Sequence, residues 1–259
     1  MSVIHYHGGP VVGAKGAAAD IVYRNGGAFI SYLYTDQISK CFDICDSIAF
    51  DNGAFSAWKS GKVINWDNFY KWIGKYYDNP KLKFFIIPDV VEGGEEDNDR
   101  LISEVPEEFK AKAVPVWHLH ESIERLVHLC EQWPRVAFGS SGEYAVVRTK
   151  RWNERMQEAF KAIYIDRNLT TKIHGLRMLD GRVLGIYPLD SADSTNLATN
   201  IPKWKNVHPQ LTQNVLDAGF DIYEVYTHRA AILRNAVESV IPPSIEQWRN
   251  QWNSTICEA

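Results

Sequence analysis

Residues 47–89 read SIAFDNGAFSAWKSGKVINWDNFYKWIGKYYDNPKLKFFIIPD, with an apolar run at each end and a helical pattern between them. Both runs are short, rich in branched or aromatic side chains and closed by turn-forming residues, as buried strands are. The pattern between them follows one helix face, at Trp66, Phe69, Ile73, Tyr76 and Tyr77. A strand, a one-sided helix and a second strand predict a parallel sheet with helical crossovers.

The same alternation continues on both sides of this stretch. It predicts eight strands, at residues 3–6, 28–34, 47–50, 83–87, 113–117, 135–138, 171–176 and 183–189. Eight strands with intervening helices predict an α/β fold of the (β/α)8 TIM-like barrel type, in which every strand edge is paired. An open doubly wound sheet is the alternative. Helical patterns at 208–218, 230–240 and from 244 onward predict extra C-terminal helices on a single domain, 1–259.

Length and composition exclude several classes of protein. The chain has 259 residues, a formal net charge of -4 and 45% apolar residues, which is typical of one globular domain rather than a disordered or collagenous chain. Four cysteines are too few and too scattered for a disulfide framework. No apolar run approaches the roughly 20 residues of a membrane span. With no secretory signal visible, the sequence predicts a cytoplasmic protein without membrane contact.

Acidic residues follow several of the predicted strands. Asp51 and Asp89 each come after an apolar run, and Asp190-Ser191-Ala192-Asp193 follows the eighth predicted strand. In a parallel barrel these positions face one mouth, so we expect Asp51, Asp89 and Asp190 to lie together. Crowded carboxylates repel one another, so that one stays ionised while another keeps a proton. Such a pair is suited to cleaving a glycosidic bond through a covalent sugar-enzyme intermediate.

Two alternatives apply to these polar positions. A single aspartate after a strand is most often a helix cap or a turn former. His118 and His120 share one strand face, and with His174 and Asp190 they form a candidate metal site of a metal-dependent hydrolase.

The segment Gly139-Ser140-Ser141-Gly142 combines small residues with two hydroxyl groups. Glycine permits close backbone approach, and the N–H groups and hydroxyls suit a flat polar ligand or a phosphate. A plain turn is the alternative interpretation.

Several of these segments resemble the tRNA-guanine transglycosylases, enzymes that exchange guanine for a 7-deazaguanine. The segments are Asp51-Asn52-Gly53-Ala54-Phe55, Ile87-Pro88-Asp89, Gly139-Ser140-Ser141-Gly142-Glu143, His174-Gly175-Leu176 and Leu189-Asp190-Ser191-Ala192. They are similar, in this order, to the family's Asp-Ser-Gly-Gly-Phe signature, its base-holding aspartate, its Gly-Gly loop, its His-x-Leu and its Phe-Asp-Ser-Ala element. The resemblance covers roughly residues 46–195.

The resemblance implies a role for each matching position. Asp190 would be the nucleophile that attacks C1′ of a guanosine, and Asp51 the general acid or base. Asp89 would read the base edge, Phe55 would stack on the base, and the backbone at Gly139 and Ser140 would contact its carbonyl. His118, His120 and His174 complete the implied binding site, with the first two in place of an expected glutamine. The implied chemistry needs no metal or other cofactor.

Two departures from the family favour DNA as the acceptor. The cysteine-rich zinc element of the tRNA enzymes has no counterpart after Asp190, and the chain is shorter. Both features resemble the short, zinc-less relatives of phages, which insert 7-deazaguanines such as preQ0 into DNA. We therefore expect DNA, rather than tRNA, and a free 7-deazaguanine base as partners. A phage-encoded protein would act in the host cytoplasm.

A DNA partner also requires local positive charge, because the chain is acidic overall. Cations follow the glycine-rich loop and the predicted nucleophile, at Arg148, Lys150, Arg151, Lys203 and Lys205. They are candidate phosphate contacts, and a solvated helix face is the alternative. The third functional class that the sequence allows is a barrel that binds nucleic acid or a base without catalysis.

Overall fold

The computed structural model describes residues 4–203, 205–206 and 209–257. One parallel sheet runs through it, in the order β5-β4-β3-β2-β1-β9-β8-β7-β6. Its strands are β1 Ile4–Gly8, β2 Gly27–Ser31, β3 Ser47–Asp51, β4 Leu82–Ile86, β5 Ala113–Val114, β6 Val116–His118, β7 Arg135–Gly139, β8 Lys172–Gly175 and β9 Ser191–Ser194. Because neighbouring strands are parallel, their carboxyl ends meet at one end of the molecule.

The sheet curls into a TIM-like barrel that meets itself at residues 113–118. Strands β5 and β6 are two halves of one strand, interrupted by Pro115, which has no N–H to donate to a ladder. On one side Ile87 N donates to Val114 O over 2.9 Å, and on the other Ala137 N donates to Pro115 O over 2.9 Å. The predicted (β/α)8 barrel is thus confirmed, and the open sheet is wrong.

Helices surround the strands. They are α1 Ala19–Tyr23, α2 Ile38–Ile44, α3 Ala54–Ser60, α4 Trp66–Gly74, α5 Glu95–Ser103, α6 Ile123–Gln132, α7 Lys150–Phe160, α8 Gly181–Leu184, α9 Asn196–Asn200, α10 Pro209–Asp217, α11 Ile222–Glu238 and α12 Ile245–Cys257. The apolar stripe of α7 is fully buried, at Trp152, Met156, Ala159 and Phe160. Among the described residues, no helix is long and apolar enough to cross a membrane.

The interior of the barrel is a small apolar core of its own. Its members include Tyr6, Phe29, Ala49 and Phe84, which point inward from four different strands. Side chains alternate along a strand, so residues two positions further along point to the same axis. Asp51 lies two residues beyond Ala49 on β3, and it therefore points inward at the carboxyl end of the barrel.

The eighth strand lies elsewhere than the sequence predicts. Residues 183–189 fall in α8 and the turns after it, because Asp180 caps this short helix by accepting from Arg182 N over 2.9 Å. The strand is β9, with the sequence Ser-Ala-Asp-Ser, which has low strand propensity. Pairing with β1 on one side and β8 on the other stabilises it nonetheless. Asp190 consequently precedes a strand instead of following one.

Three C-terminal helices are present as predicted; α10 and α12 lie close to the expected ranges, whereas α11 begins at Ile222 rather than at residue 230. His208, the first residue of the predicted helix 208–218, lies outside the described residues. Helix α11 is tied to β1 because Glu238 Oε1 lies 2.9 Å from Nε2 of the buried His7. Arg234 Nε also donates to this oxygen, over 2.8 Å.

We expect the Glu238→Gln substitution to destabilise the protein by about 2 kcal/mol at neutral pH, because it removes a carboxylate that two groups share. Although burial acts to raise the pKa of Glu238, its bonds to His7 and Arg234 lower that pKa from 4.5 to about 2. In the wild type this stabilisation is therefore present above pH 4.5 and lost as the pH falls toward 2. Denaturant unfolding from pH 6 to 2 checks this. A variant whose stability follows the same pH curve as the wild type would contradict it.

Candidate active site

A cavity of about 280 Å³ opens at the carboxyl ends of the strands, and we name it the carboxyl-end cavity. Residues of seven strand ends or the loops that follow them line it. Its polar lining includes Ser31, Asp51, Asn52, Asp89, His118, Arg177 and Asp193. In enzymes with a parallel barrel, the active-site residues are found at this end of the barrel. Its volume is close to the lower end of the roughly 300–1,000 Å³ range of small-molecule pockets, which suits a ligand as small as a nucleobase.

Asp51 stands in the cavity at the end of β3, where the next residues turn sharply into α3. Gly53 makes this turn with a φ of 83°, and its N–H donates to Asp51 Oδ2 over 3.2 Å. Burial, and next to it the negative charges of Asp193 and Asp89, raise the pKa of Asp51 from 3.8 to about 7, against an opposing hydrogen bond from Ser31. A carboxyl group with this pKa can both donate and accept a proton near neutral pH.

Asp193 is the second carboxylate of the cavity, and it comes from β9. Its side chain is almost fully buried, and Oδ1 accepts a hydrogen bond from the backbone N–H of Arg177 over 3.0 Å. The register pairs Asp193 with Tyr6, whose side chain points inward. The charge of Asp193 is the largest electrostatic contribution to the raised pKa of Asp51. The negative charge of Asp193 thus favours the protonated form of Asp51, as one carboxylate of a catalytic pair does for the other.

His174 lies beneath Asp193 inside the barrel. Its ring packs against Tyr6, Phe29 and Phe84, and burial lowers its pKa, so it is neutral. The Nδ1 atom lies 2.8 Å from Ser191 Oγ, and Nε2 lies 3.4 Å from Asp193 Oδ1. His174 therefore supports Asp193 from below rather than touching a ligand in the cavity.

Asp89 is held at both carboxylate oxygens. Asn52 Nδ2 donates to Oδ1 over 2.6 Å, and His118 Nε2 lies 2.8 Å from Oδ2. Asn52 is itself fixed, because it donates to Ile87 O and accepts from Ala54 N. The Asp89 side chain is one-tenth exposed, toward the cavity it lines. A carboxylate fixed in this way can accept from adjacent N–H groups of a planar ligand with its remaining lone pairs.

An arginine that the sequence analysis did not single out lies across the cavity. The guanidinium of Arg177 stacks 3.9 Å from the centre of the Phe55 ring, and it donates to Ser140 O. Burial lowers its pKa, while the carboxylates of Asp193, Asp51 and Asp89 act in the opposite direction. Arg177 thus places one positive charge among three carboxylates, on the aromatic face predicted to stack on a base.

Asp190 lies at the opposite end of the barrel, so the expectation that it shares a mouth with Asp51 and Asp89 is wrong. Its carboxylate bonds to Arg135 over 2.6 Å and approaches Lys172 Nζ at 3.5 Å. These two cations begin β7 and β8, and Asp190 directly precedes β9, so all three mark the amino ends of the strands. The misplacement follows from the misassigned eighth strand.

We expect Asp190→Asn to lower stability without removing the chemistry of the cavity. Arg135 is largely buried against the Phe84 ring, so the loss of its partner costs about 1–3 kcal/mol. Thermal unfolding and an assay for the base exchange that the sequence resemblance implies, both on the same preparation, check this. Loss of activity in a well-folded Asp190→Asn protein would restore the role that the sequence resemblance implies.

The four residues of the predicted metal site do not come together. His118 and His120 stack with their ring centres 5.6 Å apart, but Asp190 is at the other end of the barrel. Nor does any group of three or more His, Cys, Asp or Glu side chains in the described part of the chain have the arrangement of a metal site. The hydrolase site in its predicted form is therefore wrong.

Gly139 and Ser140 do not line the cavity, but they contact His118 and Arg177, which do. A Cβ atom at Gly139 would lie 2.8 Å from His118 Nδ1, so the absence of a side chain there is what allows this ring to sit against β7. Ser140 is buried, and its hydroxyl accepts from Trp152 Nε1 over 2.9 Å. Its carbonyl holds Arg177. The predicted contact of this backbone with a base carbonyl stays a prediction.

The predicted cations are exposed, and ion pairs are among their contacts. Arg148 lies 3.4 Å from Asp180, Lys150 lies 3.7 Å from Glu154, and Arg151 pairs with Glu143. Lys203 and Lys205 are also exposed. Exposed pairs of this kind contribute little to stability, so these cations can exchange their partners for phosphates at small cost.

Sequence reasoning missed Asp193, Arg177 and Asn52 as cavity residues. A usable signal existed for Asp193, because Ser191 and Asp193 have the alternate spacing of inward-facing strand residues on either side of the buried Ala192. For Arg177 there was none, since it reaches the cavity from a loop position with a φ of 59°.

No protein-family model matches this sequence, and no curated protein is significantly similar to it. The resemblance of the short motifs to the transglycosylases stays a prediction.

Proposed function

We propose that this protein is a base-exchange glycosyltransferase that replaces guanine in DNA with a 7-deazaguanine such as preQ0, with Asp193 as nucleophile and Asp51 as general acid and base. The observation that carries this proposal is the carboxylate pair in one small cavity, with the pKa of Asp51 raised to about 7 partly by the charge of Asp193. One group stays ionised for attack, and the other keeps a proton to give away.

The two half-reactions balance without an external proton. Asp193 attacks C1′, the bond from C1′ to N9 of guanine breaks, and Asp51 gives its proton to N9. In the second half the ionised Asp51 removes the N9 proton of the incoming 7-deazaguanine. N9 then attacks C1′, and the ester bond to Asp193 breaks. No energy source is needed, because one N-glycosidic bond replaces another.

Recognition of the base rests on Asp89 and Phe55. Asp89 offers ionised, fixed acceptors, and guanine and 7-deazaguanines both carry adjacent N1–H and 2-amino donors. Charge-assisted hydrogen bonds of this kind are about twice as strong as neutral ones. The Phe55 ring supplies the stacking surface once the base displaces the Arg177 guanidinium from it. Arg177 is then free to contact a phosphate of the flipped nucleotide.

DNA is the proposed acceptor because the motifs are most similar to those of the short, zinc-less enzymes. The exposed Arg148, Lys150 and Arg151 lie after the Gly139–Gly142 segment and would neutralise phosphates, so binding should weaken with added salt.

The experiment that tests this function is nucleoside mass spectrometry after incubation of double-stranded DNA, single-stranded DNA and tRNA with preQ0 or labelled guanine. We expect the modified nucleoside in DNA and little in tRNA. Incorporation into tRNA alone would contradict DNA as the acceptor and identify an RNA acceptor instead. Tight DNA binding with no incorporation of either base would leave the barrel a non-catalytic binder and refute the proposal.

A further inference from the structure

A chain of hydrogen-bonding side chains leads from the carboxyl-end cavity to the surface. His118 Nε2 lies 2.8 Å from Asp89 Oδ2, and His118 Nδ1 lies 3.3 Å from Ser141 Oγ. Ser141 Oγ lies 2.9 Å from His120 Nδ1, and His120 Nε2 lies 3.3 Å from Gly93 O. The His118 and Ser141 side chains are buried, whereas Asp89 borders the cavity and His120 is exposed. We name Asp89, His118, Ser141 and His120 the Asp89 relay.

Donors and acceptors in the relay match when His120 carries two ring protons. His120 then donates to Gly93 O and to Ser141 Oγ, Ser141 donates to His118 Nδ1, and His118 Nε2 donates to an ionised Asp89. Each contact along the path then joins one donor to one acceptor, and we name this arrangement the outer-proton state.

A second arrangement satisfies the same contacts. The Nδ1 proton of His120 moves to Ser141 Oγ, the Ser141 proton moves to His118 Nδ1, and the Nε2 proton of His118 moves to Asp89. Asp89 is then a carboxylic acid, and His120 is neutral. The three hydrogen bonds between side chains of the relay persist with their directions reversed, while His120 Nε2 still donates to Gly93 O. One proton has moved from the exposed imidazole to the cavity. In this inner-proton state the carboxyl group offers one acceptor fewer and no charge.

We propose that the Asp89 relay is a proton path that switches Asp89 between these two states while a ligand closes the cavity from solvent. Imidazole both gives and takes protons near neutral pH, which is why histidine recurs in proton shuttles. The same three residue types occur in hydrolase triads, but there Nε2 faces the serine and the serine faces substrate. Here Nδ1 faces Ser141, whose hydroxyl is buried behind His118, so transfer of a proton is the chemistry that fits.

The role of the switch rests on the proposed base exchange. Guanine must leave while its sugar stays bound to Asp193, and the charged Asp89 holds guanine most strongly. A proton that arrives through the relay removes this charge and loosens the base. The relay therefore sets the rate of guanine release rather than the rate of bond cleavage, and Ser141 and His120 act through Asp89 without touching the base.

Charged groups around the relay are fixed in their own pairs. Behind His118, Glu121 accepts from the His118 backbone N–H over 2.8 Å and pairs with Arg125 over 2.6 Å. Arg155 donates to the carbonyls of Leu119 and Glu121, and Glu95 accepts from Ser122 N. On the cavity side, the charged groups that interact with Asp89 include Asp51 and Arg177.

The first test measures proton transfer in the ligand-free protein, independently of any activity. NMR detects exchange of the His118 ring N–H with solvent in the wild type, in Ser141→Ala and in His120→Asn. We expect at least about tenfold slower exchange in both variants, the equivalent of one lost hydrogen bond. His128→Asn, at an exposed histidine of α6, is the matched control and should leave the rate unchanged. Equal exchange in wild type and both variants would overturn the relay.

The second test measures its role in exchange with a duplex that carries labelled guanine. In Ser141→Ala and His120→Asn, we expect formation of the covalent adduct at the wild-type rate and release of labelled guanine slowed about tenfold. If Ser141→Ala does not fold, His120→Asn decides. Slow proton exchange with unchanged guanine release would overturn the gating role. Absence of any adduct in the wild type would refute the base-exchange function and leave the proton path standing on the NMR result.

Discussion

Asp193→Asn is expected to abolish guanine exchange and the covalent protein-DNA adduct, with a fall in turnover on the order of 10⁴-fold or more. Asparagine keeps the shape of the side chain but has no ionised oxygen to attack C1′. DNA affinity should change little, because the exposed cations proposed to bind phosphates lie outside the cavity. Single-turnover assays with labelled duplex measure exchange, adduct and binding together.

The matched control is Asp190→Asn, which removes a carboxylate three residues away on the same segment. We expect it to form the adduct at close to the wild-type rate despite its lower stability. The pair of variants thus separates the residue that the fold brings into the cavity from the one that the sequence motif indicates. Full activity in Asp193→Asn would remove this residue from the mechanism.

Asp51→Asn is expected to lower the rate of adduct formation by about 10²–10⁴-fold, the usual contribution of a general acid. Because the pKa of Asp51 is raised to about 7, the wild-type rate should fall as the pH rises through 7 and the proton is lost. This limb should disappear in the variant. Rates from pH 5 to 9 provide the measurement, and a wild-type profile that is flat across pH 7 would contradict the assignment.

The same substitution should stabilise the protein above pH 7. The folded Asp51 keeps its proton up to about pH 7, whereas an unfolded chain loses it near 3.8, so the free energy of unfolding falls as the pH rises between these values. Asparagine removes this penalty, and we expect a gain of about 2 kcal/mol, or roughly 5 °C in Tm. Substitutions that remove a functional carboxylate often stabilise the protein in this way.

Most of the barrel could be predicted from the sequence because its strands are apolar runs followed by one-sided helices. The segment 47–89 is the clearest example, because both of its strands occur as expected. Helix α4 contains Trp66, Phe69 and Ile73 of the predicted face but ends at Gly74, before Tyr76 and Tyr77. The local sequence pattern and the tertiary packing favour the same structure there, so a short stretch of sequence is enough to predict the strands and the helix. Asp51 and Asp89 could be placed for the same reason.

The last strand could not be predicted, because its stability comes from its neighbours. Ser191–Ser194 has little strand propensity, and it is a strand only because β1 and β8 supply hydrogen bonds on both sides. The apolar run before it, at residues 183–189, was predicted as the strand instead. Because this one strand was misplaced, Asp190 was predicted at the wrong end of the barrel, and Asp193 was not predicted as a cavity residue.

Arg177 and the Asp89 relay illustrate a second limit. The relay joins residues from three separate segments of the chain, and only their folded positions bring the two histidines and Ser141 into line. In the sequence alone, the spacing of His118 and His120 also allowed a metal site as an alternative. Hydrogen-bond distances, which no sequence pattern contains, distinguish the two.

The most direct test of the account is to locate the covalent attachment in the trapped protein-DNA complex. Trypsin releases residues 183–203 as one peptide, which holds both Asp190 and Asp193. Fragmentation of this peptide by tandem mass spectrometry should place the sugar on Asp193. Attachment at Asp190, or base exchange that proceeds with no attachment at either aspartate, would contradict the mechanism.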